Sequence, residues 1–138
     1  MEAFHSADPQ KHLLLHRNSL SFILMNRYPY NAGHLLALPA REVSDFDELT
    51  EEEQAALFGA VIRGQNILKR AMQPEGFNVG FNIGSAAGAG IPKHLHAHIV
   101  PRWNGDTNFM PVVGETKILP QALEALYAQL LAVVSEEK

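Results

Sequence analysis

Apolar positions recur along this chain in two rhythms. Three short apolar runs come first, His12 to His16, Ser19 to Met25 and His34 to Pro39. Turn-prone residues such as Arg17-Asn18 and Tyr28-Pro29-Tyr30-Asn31-Ala32-Gly33 separate them, a pattern that predicts an antiparallel meander. From Thr50 to Met72 the period changes: Ala56, Leu57, Ala60, Val61, Gly64, Ile67, Leu68 and Ala71 fall on one helical stripe. Acidic Glu51 to Glu53 open that segment and complement the positive helix N-terminus, with Thr50 or Ser44 as candidate caps. Two-residue alternation returns over Phe77 to Ile83, which predicts a strand, and over His94 to Val100, which predicts another. Between them Gly84 to Pro92 reads as a loop of small residues. After the irregular Pro101 to Gly114, a closing helix is expected from about Pro120 to Ser135, with proline at its first position. The order βββαββα predicts an α+β fold with a largely antiparallel sheet.

Composition narrows the classes without changing that picture. The 138 residues suit a single domain spanning the chain, and no apolar run reaches the roughly 18 residues that cross a bilayer. Cysteine is absent, which removes thiol catalysis, disulfides and thiolate zinc sites. A net charge of −4 argues against a surface for nucleic-acid polymers, while a small anionic ligand is compatible with local positive potential. The opening residues lack a basic patch followed by an apolar block, so the expected compartment is the cytoplasm. Residues 101 to 116 form the longest aperiodic stretch, the kind of loop that often carries function.

The candidate chemistry lies in His94-Leu95-His96-Ala97-His98. On a strand these three imidazoles share one face while Leu95, Ala97 and Ile99 take the other. Zinc is the obvious rival. Same-face neighbours stand about 6.6 Å apart and the outer pair about 13 Å, too far to converge on an ion needing ligands at roughly 2.0 to 2.1 Å. A set of two of these histidines with His34 is the remaining metal alternative; no metal or cofactor is expected. The preceding Gly84-Ser85-Ala86-Ala87-Gly88-Ala89-Gly90 offers backbone amides with little side chain in the way, a plausible anion cradle. A neutral imidazole held through one nitrogen is a nucleophile at the other, and flanking imidazoles can donate to phosphate oxygens. The middle histidine, His96, is best placed for attack on a phosphate group held there.

The run His94-Leu95-His96-Ala97-His98-Ile99-Val100, with Tyr30-Asn31-Ala32-Gly33-His34 earlier, resembles the histidine-triad family over roughly residues 12 to 135. The tail Pro101-Arg102-Trp103-Asn104-Gly105-Asp106-Thr107-Asn108-Phe109-Met110-Pro111 is similar to the branch cleaving diadenosine polyphosphates, with its bacterial-type phosphorylases and fragile-histidine-triad hydrolases. The resemblance implies a five-stranded antiparallel sheet with two helices and a homodimer with first helices face to face. It implies cleavage of diadenosine tri- or tetraphosphate, or a related dinucleotide, at the α-phosphate through a nucleotidyl-His96 intermediate that water or phosphate resolves.

It further implies that His98 contacts the α-phosphate, that His94 supports the leaving group and the hydrogen-bond network, and that His34 is a fourth pocket histidine. Asn26 matches a ribose contact, Leu24 and Leu36 lie near the base, Asn82 is on the phosphate side, and Trp103 either stacks on a base or packs in the core. Many relatives carry Gln followed by Ser or Thr before the triad. Here Gly90-Ile91 stand there, so backbone amides of Ala89, Gly90 and Ile91 are expected to hold the phosphate. The alternatives are a nucleoside phosphoramidase and a nucleotide-binding sensor without catalysis.

Overall fold

The structure, a computed structural model, describes residues 12–27, 32–89, 94–106 and 120–136. Its elements are β1 (Leu14–Arg17), β2 (Ser21–Met25), β3 (Leu35–Pro39), α1 (Glu51–Met72), β4 (Gly76–Phe81), β5 (Ala97–Arg102) and α2 (Pro120–Glu136). The strands form one fully antiparallel sheet of order β1-β2-β3-β5-β4. The expected α+β arrangement of five strands and two helices is therefore the one found.

The helix α1 starts where its sequence provides a reciprocal cap. Thr50 Oγ1 accepts from the Glu53 amide at 3.1 Å, and Glu53 Oε1 accepts from the Thr50 amide at 2.9 Å. Ser44 does not cap it; its hydroxyl donates to Glu48 Oε1 instead. Leu57, Ala60, Val61, Gly64, Ile67 and Leu68 then bury one stripe against β3, β2 and β5. Gln73, in the left-handed conformation at φ 48°, ends the helix and donates its amide to the Lys69 carbonyl. The closing helix α2 packs on α1 and β1 through Leu123, Tyr127, Leu130 and Val134, and the Tyr127 hydroxyl donates to the Leu14 carbonyl at 2.6 Å.

Residues opposite one another across the ladders share a face. The row Ile99, Leu35, Met25 faces the helices and joins the main core. The row Gly80, His98, Leu36, Leu24, Leu14 lies on the other face, where Leu14, Phe22, Leu36 and Leu38 form a second apolar cluster with Leu24 against it.

Two glycines fix how closely the layers approach. A Cβ at Gly64 would stand 2.7 Å from Ile99 Cδ1, so the helix backbone rests directly on the middle of β5. Gly33, at φ +84°, would bring a Cβ to 2.8 Å from Met72 Sδ and 3.2 Å from Pro101 Cγ.

Several strand limits differ from the sequence expectation. Leu13 is left-handed at φ 58°, so β1 begins at Leu14 rather than His12. The strand expected over His94 to Val100 instead runs Ala97–Arg102. Its ladder partners stop at Ala37 on β3 and at Phe81 on β4. Beyond them Pro39, lacking an N–H, has no donor to give a continuing ladder, and the Leu95 amide donates to Val43 O at 2.6 Å instead.

Candidate active site

Because the strand begins only at Ala97, His94 and His96 are held outside regular structure, and the alternation argument does not apply to them. The imidazoles brought together are His96, His98 and His34. His96 and His98 ring centroids lie 4.9 Å apart, and His34, immediately before β3, lies 5.1 Å from His98. The His94 ring turns toward Phe22, 6.0 Å away.

The hydrogen bonds assign the nitrogens. A carbonyl only accepts, so His96 donates its Nδ1–H to the His94 carbonyl at 2.9 Å and keeps the lone pair on Nε2. His94 likewise donates Nε2–H to the Pro39 carbonyl at 2.9 Å. Its ring donor thus serves the scaffold and its carbonyl orients His96, contacts that belong to the hydrogen-bond network, one of the two roles the resemblance implied for it beside support of the leaving group. His34 is fully buried, with Nδ1 3.3 Å from Asn26 Nδ2 and Nε2 3.0 Å from His98 Nδ1. Both its ring nitrogens are engaged, so the metal set of two triad histidines with His34 would have to break this network.

Burial pushes His34, His94 and His98 toward the neutral form. His34 is lowered to about 4 by desolvation, reinforced by His98 and His96. His98 is lowered by burial and then by His96. His94 is lowered by burial, against the opposing effect of its bond to the Pro39 carbonyl.

The connection from β3 to α1 supports the triad. Pro39 and Val43 supply the carbonyls that hold His94 and Leu95, and between them Arg41 donates to both carboxylate oxygens of Glu53 at 3.0 and 2.7 Å and to the Glu48 carbonyl. Glu53 is held at about 2, first by its hydrogen bonds from Arg41 and then by that from the Thr50 amide. The sequence reading missed this clamp. Its only legible part was Glu53 three residues after Thr50, the spacing of a capping box.

The other expected site residues divide into three groups. Leu36 stands directly opposite His98, and Leu24 opposite Leu36, an apolar pair that reaches about 10 Å from His98 across the sheet. Asn26 follows β2 and reaches His34; Asn82 lies one residue beyond β4 and is half-buried. The small-residue loop holds a 3-10 turn, Ser85–Ala87, whose surroundings consume amides: Ala87 and Ala89 donate to the Gly84 carbonyl and Gly88 to that of Ser85. The Ala89 amide is thus turned into the loop rather than toward a phosphate. Gly90 and Ile91 lie outside the described residues.

Trp103 is half-buried just past β5, roughly 16 Å of strand from His98. It lines a cavity of about 350 Å³ with Glu75, Asn78, Arg102, Asn104 and Asp106, in which Arg102 is clamped by Asp106 and Asn78.

Known proteins resemble the chain in sequence and in fold. The AP-4-A phosphorylase of Mycobacterium tuberculosis is 43% identical over 111 residues, which is 80% of this chain and 57% of that protein. The asymmetrical bis(5'-nucleosyl)-tetraphosphatase of Schizosaccharomyces pombe is 31% identical over 76% of this chain and 57% of its own length. The chain therefore spans a little over half the length of these curated relatives. The crystal structure of the C. elegans NitFhit protein matches with a TM-score of 0.74 at 25% identity, over 88% of this chain and 27% of that one. A zinc-bound histidine triad family protein from Mycobacterium smegmatis has the same fold, with a TM-score of 0.74 at 23% identity over 91% of this chain and 86% of its own. The HIT domain model covers residues 7–105, and with the histidines clustered at the start of β5 and before β3 it shows that the chain belongs to the HIT domain family.

Proposed function

We propose that this chain cleaves diadenosine tri- or tetraphosphate, or a related dinucleotide, at the α-phosphate through a covalent nucleotidyl-His96 intermediate. The observation that carries the reading is the tautomer of His96. Its Nδ1–H is anchored on the His94 carbonyl, which leaves the lone pair on Nε2, and the His98 ring lies 4.9 Å away between centroids. A ring so held is an oriented nucleophile that needs no base to deprotonate it. His96 Nε2 bonds to the α-phosphorus while the bridging P–O bond breaks, and a nucleoside triphosphate leaves from a tetraphosphate substrate. An incoming oxygen then displaces the imidazole: water gives a nucleoside monophosphate, inorganic phosphate a nucleoside diphosphate.

The row Leu24–Leu36 beside His98 suits a nucleobase, whose apolar faces favour such a floor. Asn82 and the Gly90-Ile91 segment remain proposed phosphate contacts, and Trp103 a proposed contact for a base. The relative at 43% identity, named a phosphorylase, favours phosphate as the acceptor.

Product analysis tests both parts. Diadenosine tetraphosphate with phosphate should yield ADP and ATP, and His96→Ala should lose turnover by at least about 10³-fold, as removal of a covalent nucleophile does. Turnover unchanged in His96→Ala refutes the covalent step, and AMP formed equally with and without phosphate refutes the phosphorylase branch.

A homodimer is proposed with it. Phe58 is 67% exposed and Ile62 45% on one face of α1, Val79 is 46% exposed on β4 at the sheet edge, and Phe46 stacks edge-on against Phe81. A second copy laid along this apolar face would cover these side chains and the open strand edge. Sedimentation should give a dimer that Phe58→Glu with Ile62→Glu converts to a folded monomer; a wild-type monomer refutes this. Among the described residues no helix is long and apolar enough to cross a membrane, and the cytoplasm is the compartment proposed for this chemistry.

A further inference from the structure

The Asn26 amide is aimed at an imidazole. Its backbone N–H donates to the His34 carbonyl at 2.8 Å, extending the β2–β3 pairing one step past the ladder, and this fixes the side chain beside the ring. Its Nδ2 then lies 3.3 Å from His34 Nδ1. An amide nitrogen carries two hydrogens and no available lone pair, so His34 Nδ1 must accept. A neutral imidazole has a single N–H, and with Nδ1 accepting it must sit on Nε2. That hydrogen meets His98 Nδ1 at 3.0 Å, which must accept in turn. The one N–H of His98 is thereby left on its Nε2.

We propose that Asn26 is a positioning residue that sets the tautomer of His98 through His34, so that His98 presents a hydrogen-bond donor to the phosphoryl group attacked by His96. The role rests on the nucleotidyl-transfer reading for its kinetic consequence, though not for the tautomers themselves. It differs from a sugar contact, because the hydrogen bond it depends on exists within the protein.

Reversing one end of the relay reverses all of it. A carboxylate in place of the amide only accepts, which draws the His34 hydrogen to Nδ1 and leaves Nε2 with a lone pair. His98 then donates from Nδ1, and its Nε2 turns a lone pair toward an anionic phosphate oxygen. His96 is outside the relay, since its Nδ1–H is held by a backbone carbonyl.

The test is long-range proton–nitrogen correlation of the histidine rings in the ligand-free protein at about pH 8, above the ordinary histidine value of about 6.5. Wild type should show Nε2–H tautomers at His34 and His98 and Nδ1–H at His96. Asn26→Asp should move His34 and His98 to Nδ1–H and leave His96 unchanged. Its kcat on diadenosine tetraphosphate should fall by on the order of 10²-fold, the loss typical of one removed transition-state donor, with KM changed far less. A wild-type Nδ1–H at His34, or tautomers that do not respond to Asn26→Asp, overturns the proposal. A rise in KM alone, with the tautomers unmoved, also overturns it and assigns Asn26 to the substrate. The wild-type spectrum decides even where the variant fails to fold. Tautomers as stated in a protein that cleaves no dinucleotide would refute the proposed reaction and leave the positioning intact.

Discussion

His34 carries the largest histidine shift in the site, and its removal isolates the consequence. The ring is fully buried and its pKa is lowered from 6.5 to about 4, chiefly by desolvation. The folded state therefore binds a proton there later than the unfolded state as pH falls. For a depressed pKa the associated stability is complete above the unfolded value and is lost as pH drops through the folded one. The window runs from 6.5 down to about 4. At about 1.4 kcal/mol per pH unit, that interval amounts to about 3 kcal/mol. His34→Gln keeps a polar side chain of similar size and cannot titrate. Urea unfolding of both proteins at several pH values from 7 to 4 gives the difference curve. The variant should be the less stable at pH 7, and its deficit should shrink by about 3 kcal/mol by pH 4. A deficit that stays constant across this range refutes the account, because it would mean His34 titrates alike in both states. Activity should fall only as pH drops through the folded value of about 4, where the native His34 ring takes up its proton and loses the acceptor for the Asn26 amide.

Other consequences follow from single contacts. Gly64→Ala places a Cβ against Ile99 and should destabilise by about 1–3 kcal/mol, and Ile99→Val, which removes the clashing methyl, should restore part of that in a double-mutant cycle. Arg41→Ala should remove the larger part of the stability that Glu53 contributes above pH 4.5 and loses toward pH 2, the Thr50 amide keeping the rest, so the acid limb of its stability profile becomes shallower; an unchanged acid limb would exclude the clamp. Tyr127→Phe leaves the Leu14 carbonyl without its donor and should cost about 1–3 kcal/mol in denaturant unfolding.

The periodicities carried much of this architecture because burial imposes them. The stripe Leu57, Ala60, Val61, Gly64, Ile67, Leu68 can be buried only by a helix, and the alternation through Phe77 and Phe81 suits a strand with one face on the core. The candidate nucleophile was legible for another reason, since alternating histidines are a local pattern that survives in the letters. Local pattern could not say where the β5 ladder ends. Pro39 and Val43 decide that, and with it the departure of His94 from the cluster, because they lie more than 50 residues away in sequence.

The same distance hid the rest of the site. The Gly84–Gly90 letters suggest an open row of amides, yet the 3-10 turn folds those of Ala87, Gly88 and Ala89 back onto its own carbonyls. The outward-facing Phe58 and Ile62 look in sequence like ordinary members of an apolar helix, and only the packed sheet reveals which apolar face remains uncovered. The sequence by itself determined the order and type of the elements, the sheet class and the histidines; the tertiary structure decided where β5 begins and which ring nitrogen holds each proton. Periodicity is a property of neighbours along the chain, whereas a tautomer is chosen by whatever donor or acceptor the fold brings across from another strand.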